Sequence, residues 1–166
     1  TIVGMCGRKD QMQVYWKFTS FQHPGTIQRH CFEADKTSIV RTTRVAGLDP
    51  NDFVAEQHWY TSKDGETKVP MFVVRKKAVE QGPVYLYGYG GFNISLNPGF
   101  SITNAVWMEQ GGIYAVPNLR GGGEYGKKWH DAGTQMKKQN VFDDFIAAAE
   151  YLIENKYTSS DYLAIR

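Results

Sequence analysis

Cysteine is scarce in this chain: Cys6 and Cys31 are the two among 166 residues. That excludes a small scaffold stapled by several disulfides, and the expectation is two free, buried thiols in a reducing, cytoplasmic compartment. No apolar run is long enough to span a bilayer, so no membrane partner is expected. An excess of one charge is lacking too. The 19 Lys and Arg and 17 Asp and Glu are scattered, which leaves no basic footprint for a nucleic acid. His23, His30, Cys6 and Cys31 match no zinc spacing, so neither metal nor cofactor is expected. The N-terminus lacks a starting Met and a charged leader with an apolar core. It reads as a cut inside a longer chain, as does the C-terminus, Leu163-Ala164-Ile165-Arg166.

What is present is an ordinary globular composition, 42% hydrophobic and 22% charged, rich in aromatics. Residues 1–45 read as β-structure. Val14, Trp16 and Phe18 alternate with Gln13, Tyr15 and Lys17, a second strand runs from Thr26 to Phe32, and a third is expected at Arg41 to Val45. Gly47-Leu48-Asp49-Pro50 is the best boundary, so the expected domains are 1–46 and 47–166. A hairpin follows, Val54 to Thr61 and Lys68 to Lys76 around Asp64-Gly65, with Pro70 implying an edge position or a bulge. Strand–helix–strand–helix–strand comes next, which makes the fold class α/β with antiparallel strands leading in. The first helix spans Ser101 to Gln110, with Ile102, Ala105, Val106 and Glu109 near one stripe. The second starts at a capping Asn140, with Asp143 and Asp144 in its first turn and an apolar stripe of Phe142, Phe145, Ile146, Ala149, Leu152 and Ile153.

Two nucleotide motifs almost match. Gly88-Tyr89-Gly90-Gly91-Phe92-Asn93 lacks the third glycine of a dinucleotide fingerprint. Gly121, Gly126 and Lys127 fit a P-loop spacing, but Lys128 stands where the Mg²⁺-binding hydroxyl belongs. A serine hydrolase needs its serine on a G-x-S-x-G turn, and none of Ser20, Ser38, Ser62, Ser95, Ser101, Ser159 or Ser160 has that setting. What remains is the loop Tyr87 to Phe92. It follows a short strand, where an α/β-hydrolase keeps one oxyanion donor. Its glycines permit close backbone approach, and a tyrosine hydroxyl is a competent donor.

Taken together, Tyr85 to Ser95, Asn118 to Gly126, and Asn140 to Tyr157 with its Phe-Asp-Asp-Phe core resemble the prolyl oligopeptidases. The resemblance implies that residues 1–46 are the last blade of a β-propeller. Residues 47–166 would be the N-terminal part of an α/β-hydrolase domain, ending just before the nucleophile elbow. It further implies a serine-type oligopeptidase that cleaves short peptides after proline, monomeric at full length, with the fragment inactive alone. By motif position Tyr89 is similar to the family's oxyanion-hole tyrosine, and Phe92 to the aromatic lining the proline pocket. Arg120 and Glu124 are expected to pair and hold the second glycine loop. The competing readings are a truncated, non-catalytic binding module and a P-loop nucleotide binder.

Overall fold

The computed structural model describes all of residues 1–166. Alternating side chains and tight turns give the chain two sheets, in a mixed α/β arrangement. Two compact units form, one from residues 1–51 and 97–105, the other from 52–96 and 106–166.

The first unit holds an antiparallel meander of β1 (Ile2–Gly7), β2 (Gln13–Phe18), β3 (Thr26–Cys31) and β4 (Lys36–Thr42), paired in chain order. β1 was not foreseen, since Gly4 and Gly7 interrupt its pattern. The third strand expected at Arg41 to Val45 is displaced toward the N-terminus. Asp35 takes the left-handed conformation (φ 44°) and closes the turn after β3, so pairing begins at Cys31↔Lys36 and ends at Thr26↔Thr42. Both cysteines are free, but neither is buried: Cys6 lies on an edge strand exposed along its whole length, and Cys31 is half-buried.

In the second unit the strand order is β5-β6-β8-β7-β9, with ranges Phe53–Thr61, Lys68–Lys76, Ile113–Pro117, Val84–Leu86 and Leu163–Ile165. β5, β6 and β8 pair antiparallel, and β7 lies parallel to both β8 and β9. α1 (Ile102–Glu109) lies in the connection from β7 to β8, and α3 (Gln139–Glu154) in that from β8 to β9; a five-residue α2 (Lys127–Asp131) precedes α3. Val69, Met71 and Val73 recur at every second residue of β6 and so share one face. With Val84, Leu86, Ile113 and Ala115 they form a fully buried layer that packs with Ala147, Ala148 and Leu152 of α3.

Pro70 occupies neither an edge nor a bulge. It pairs with Trp59 in an unbroken ladder, on a strand with a neighbour on each side. Its carbonyl accepts from the Asn118 amide at 2.9 Å. Because a strand residue's N and C=O point the same way, the missing N–H faces Asn118, one residue past the end of β8. The helix faces also differ from expectation. In α1 the buried positions are Ala105 and Met108, while Ile102 and Val106 are exposed. In α3 the buried face is Val141, Asp144, Ala147, Ala148 and Leu152, and Phe142, Ile146 and Ile153 of the expected stripe are exposed. Small alanines let the helix approach the sheet, and Asp144 sits inside because its charge is met there. Asn140 is no cap: α3 starts at Gln139, and the Asn140 amide donates to the Ala132 carbonyl at 2.8 Å.

Asp144 is fully buried and bound by three residues from two segments. Arg120 donates to it from its backbone N (3.0 Å), its Nε (3.0 and 3.1 Å) and its Nη2 (2.6 Å). Ser62 Oγ donates to Oδ1 at 2.6 Å, and the Tyr60 hydroxyl donates to the Asp144 carbonyl at 2.8 Å. Arg120 reaches onward to Asp64 (2.8 Å) and Thr67 (3.2 Å) in the β5–β6 turn. Arg120 therefore pairs with Asp144 and Asp64, not with Glu124. Burial alone would lower the guanidinium's pKa, but the hydrogen bonds and charges of Asp144 and Asp64 outweigh it and hold the group more firmly protonated than usual. Burial first, then the charge of Asp144, pushes the Tyr60 phenol far above its ordinary value.

Removing one partner of such a pair leaves an uncompensated charge in the interior. Asp144→Ala should destabilise the protein by about 3–5 kcal/mol in a denaturant titration; a loss below ~1 kcal/mol would contradict the account. Burial works against ionised Asp64, but the bonds from Thr67 and Glu66 and the charge of Arg120 together outweigh it and hold the carboxyl well below the usual range. Its stabilising share is then complete above about pH 4 to 5 and lost as the pH falls through the usual carboxylate value toward the folded one. Asp64→Asn should flatten that acid limb of a Tm-against-pH profile, and an unchanged slope would count against it.

Candidate functional site

The loop after β7 starts as a continuation of the sheet. Tyr87 N donates to Ala115 O (2.9 Å) and Gly88 N to Arg166 O (3.0 Å), so the chain leaves β7 between its two parallel neighbours. This is the C-terminal edge of the parallel strands, where α/β sheets handle ligands. Two glycines then let the backbone run against α3. A Cβ on Gly88 would lie 2.7 Å from the Phe145 ring, and one on Gly90 (φ +56°) would strike Val141, Leu119 and the Arg120 carbonyl. Phe92 (φ 51°) and Asn93 (φ 56°) also hold the left-handed conformation, which is strained for a side chain as large as phenylalanine.

Tyr89 and Phe92, the two site residues expected from sequence, stand on this bend with 42% and 85% of their surface exposed. Both aromatic groups are thus available to a ligand. The second glycine loop supports the bend from below. Asn93 N donates to Gly121 O (3.2 Å) and Gly123 N to Ile94 O (3.4 Å). Glu124 Oε1 accepts from Leu96 N (2.9 Å) and from Asn118 Nδ2 (3.1 Å), and Asn118 Nδ2 also reaches Leu96 O at 2.9 Å. Asn118 was given no role from sequence, and Glu124 was expected to hold this loop through Arg120 instead. The available signal was a polar residue on each flank of a glycine run, which needs side-chain acceptors and donors to fix backbone that has no side chains of its own.

The same contacts exhaust the phosphate-cradle reading. The amides of Gly121, Gly122, Gly123 and Gly126 are spent on Trp129, Leu119, Ile94 and Gly123 carbonyls, and Lys127 pairs with Asp131 at 2.6 Å on the surface. His130 Nδ1 meets Gly121 O at 2.7 Å, and His58 lies between the hydroxyls of Tyr151 and Tyr157 at 3.2 Å each. Burial, with Glu56 second, raises the Tyr157 phenol above its usual value. Both histidines serve packing and loop shape.

A family model described as the prolyl oligopeptidase family matches residues 98–166. Among curated relatives, the chain is 52% identical to a prolyl endopeptidase of Elizabethkingia miricola, over 99% of this chain and 24% of that protein. It is 48% identical to prolyl oligopeptidase A of Amanita bisporigera, over 95% of this chain and 22% of that protein. The chain spans about a quarter of the length of the curated relatives it matches. Among solved structures, a variant of prolyl oligopeptidase B from Galerina marginata, bound to a 35mer hydrolysis and macrocyclization substrate, superposes with a TM-score of 0.94. Its sequence identity is 44%, covering 99% of this chain and 24% of that one.

Gly90 and Gly65 both have positive φ, but only Gly90 is crowded: nothing lies within 4 Å of a Cβ added at Gly65. Gly90→Ala adds overpacking of about 1–3 kcal/mol to the backbone cost the two sites share. Paired denaturant titrations should therefore show Gly90→Ala the more destabilised by at least ~1 kcal/mol, and equal losses would show that the bend does not depend on this close approach.

Proposed function

The chain belongs to the prolyl oligopeptidase family, and from that premise we propose that it is part of a serine oligopeptidase that hydrolyses short peptides after proline. The observation that carries the reading is the half-exposed Tyr89 on a braced glycine bend, in a chain half of whose residues match a prolyl endopeptidase over nearly its whole length. In this reading residues 1–46 are the end of a β-propeller and 47–166 the N-terminal part of an α/β-hydrolase domain. The full-length enzyme is a monomer, works without a cofactor, and resides in the cytoplasm, where Cys6 and Cys31 stay reduced.

The chemistry follows from the charge that must be met. A serine outside this chain attacks the carbonyl carbon on the C-terminal side of proline, giving its proton to a histidine. The carbonyl electron pair moves onto oxygen, and the Tyr89 hydroxyl donates a hydrogen bond to that oxyanion, beside the backbone N–H that follows the nucleophile. Collapse of the adduct re-forms the carbonyl and expels the amine, which takes up the proton from histidine. Water then repeats the sequence on the ester. The Phe92 ring offers an apolar face to the pyrrolidine of the substrate proline and fixes which bond meets the nucleophile.

Two measurements on the natural gene product test this. A fluorophosphonate should label a serine in a product far heavier than 18.8 kDa; an unlabelled product would favour the binding-module reading. Tyr89→Phe keeps the ring and removes the donor. It should lower kcat on a fluorogenic proline peptide about 100-fold, in the range for loss of one oxyanion donor, and a change within 2-fold would remove Tyr89 from the mechanism.

A further inference from the structure

We infer that Lys138 is a positioning residue for the Tyr89 donor, an inference that rests on the reading of Tyr89 given above. The Lys138 ammonium donates to the carbonyl of Gly90 at 2.8 Å. Gly90 directly follows Tyr89, holds φ +56° and lies beyond the end of β7 at Leu86. The sheet secures the loop through Tyr87 and Gly88, and the second glycine loop secures it from Asn93 onward. The bend at Tyr89–Gly90 lies between these anchors, and the ammonium grips it there.

A second observation comes from the helix. Lys138 stands at the N-cap of α3, makes no side-chain cap, and follows Lys137. Cations at a helix N-terminus oppose the macrodipole, and Ser, Thr, Asp or Asn is the usual capping choice. The helix therefore gains nothing from a lysine here. A local rule broken without local benefit points to service elsewhere, and the Gly90 carbonyl is where the charge goes. Lys138 is also exposed, so its bond does not fill the core. An ion–dipole bond to one turn of a strained loop changes where the preceding side chain points. Tyr89 must meet an oxygen at hydrogen-bond distance, and a displacement of the order of 1 Å weakens that contact steeply.

The test is a double-mutant cycle in the full-length protein, read by kcat and KM on a fluorogenic proline peptide. Lys138→Met should lower kcat about 10-fold with KM within about 2-fold, and Lys138→Arg should recover most of the loss, because the effect belongs to the oxyanion and not to substrate binding. In the Tyr89→Phe background, Lys138→Met should change kcat by less than about 2-fold, since a residue acting through Tyr89 has nothing left to position. An unchanged kcat in the single variant overturns the inference, as does an equal loss in both backgrounds. Either result leaves the Tyr89 assignment standing so long as Tyr89→Phe itself is impaired. A fully active Tyr89→Phe overturns both together. Thermal unfolding is measured alongside. Should Lys138→Met not fold, Lys138→Gln, which removes the charge and shortens the side chain, replaces it with the same expected outcomes.

Discussion

The second unit is organised around one buried ion pair. Arg120 and Asp144 are 24 residues apart in sequence and meet in the interior, Asp144 fully and Arg120 almost fully buried. Such a pair is costly to desolvate, and it persists where every donor and acceptor is used. Here the carboxylate receives the Arg120 side chain, the Arg120 backbone amide and the Ser62 hydroxyl, while the guanidinium continues to Asp64 and Thr67. The β5–β6 turn, the second glycine loop and α3 are thereby fixed to one point. Apolar burial between α3 and the sheet would tolerate small slides of the helix, whereas a bidentate pair does not.

That fixed point governs the candidate site through two steps of support. The second glycine loop, held at Arg120, braces the first loop through Gly121, Gly123 and the Asn118–Glu124 clamp. α3, held at Asp144, presents Val141 and Phe145 as the wall against which Gly90 and Gly88 lie. Among the glycines that imitate a nucleotide-binding signature, Gly88, Gly90 and Gly121 are explained by packing: each stands where a Cβ would enter α3 or the neighbouring loop. A bend with Phe92 and Asn93 both at positive φ survives only when its surroundings over-determine it, and such strain collects at functional sites.

The sequence made the hairpin legible because alternation and Asp64-Gly65 agree on one register, and β8 and β9 because apolar runs followed turn signals. The bend carrying Tyr89 and Phe92 could be located for the same reason, its glycines falling right after a strand. The buried face of α3 could not be read this way. A hydropathy pattern places Phe142 and Ile146 inside and Asp144 outside, and it has no means of knowing that an arginine from a distant loop neutralises the aspartate. The Arg120–Glu124 expectation failed similarly: Arg120 is drawn to the buried Asp144, and the Glu124 carboxylate accepts from the Leu96 backbone amide and the Asn118 side-chain amide instead. β1 and β4 were missed or shifted because their residues are exposed on both faces, so burial wrote no alternation into them.

In the proposed mechanism the braced glycine bend delivers the Tyr89 hydroxyl to a developing oxyanion. The most direct measurement is a structure of the full-length protein with a peptide aldehyde ending in proline, which forms a tetrahedral hemiacetal on an activated serine. The account predicts the Tyr89 hydroxyl at about 2.7–3.1 Å from the hemiacetal oxygen, with the Phe92 ring against the pyrrolidine. An adduct whose oxygen is bound by other donors, with Tyr89 turned away, would contradict it.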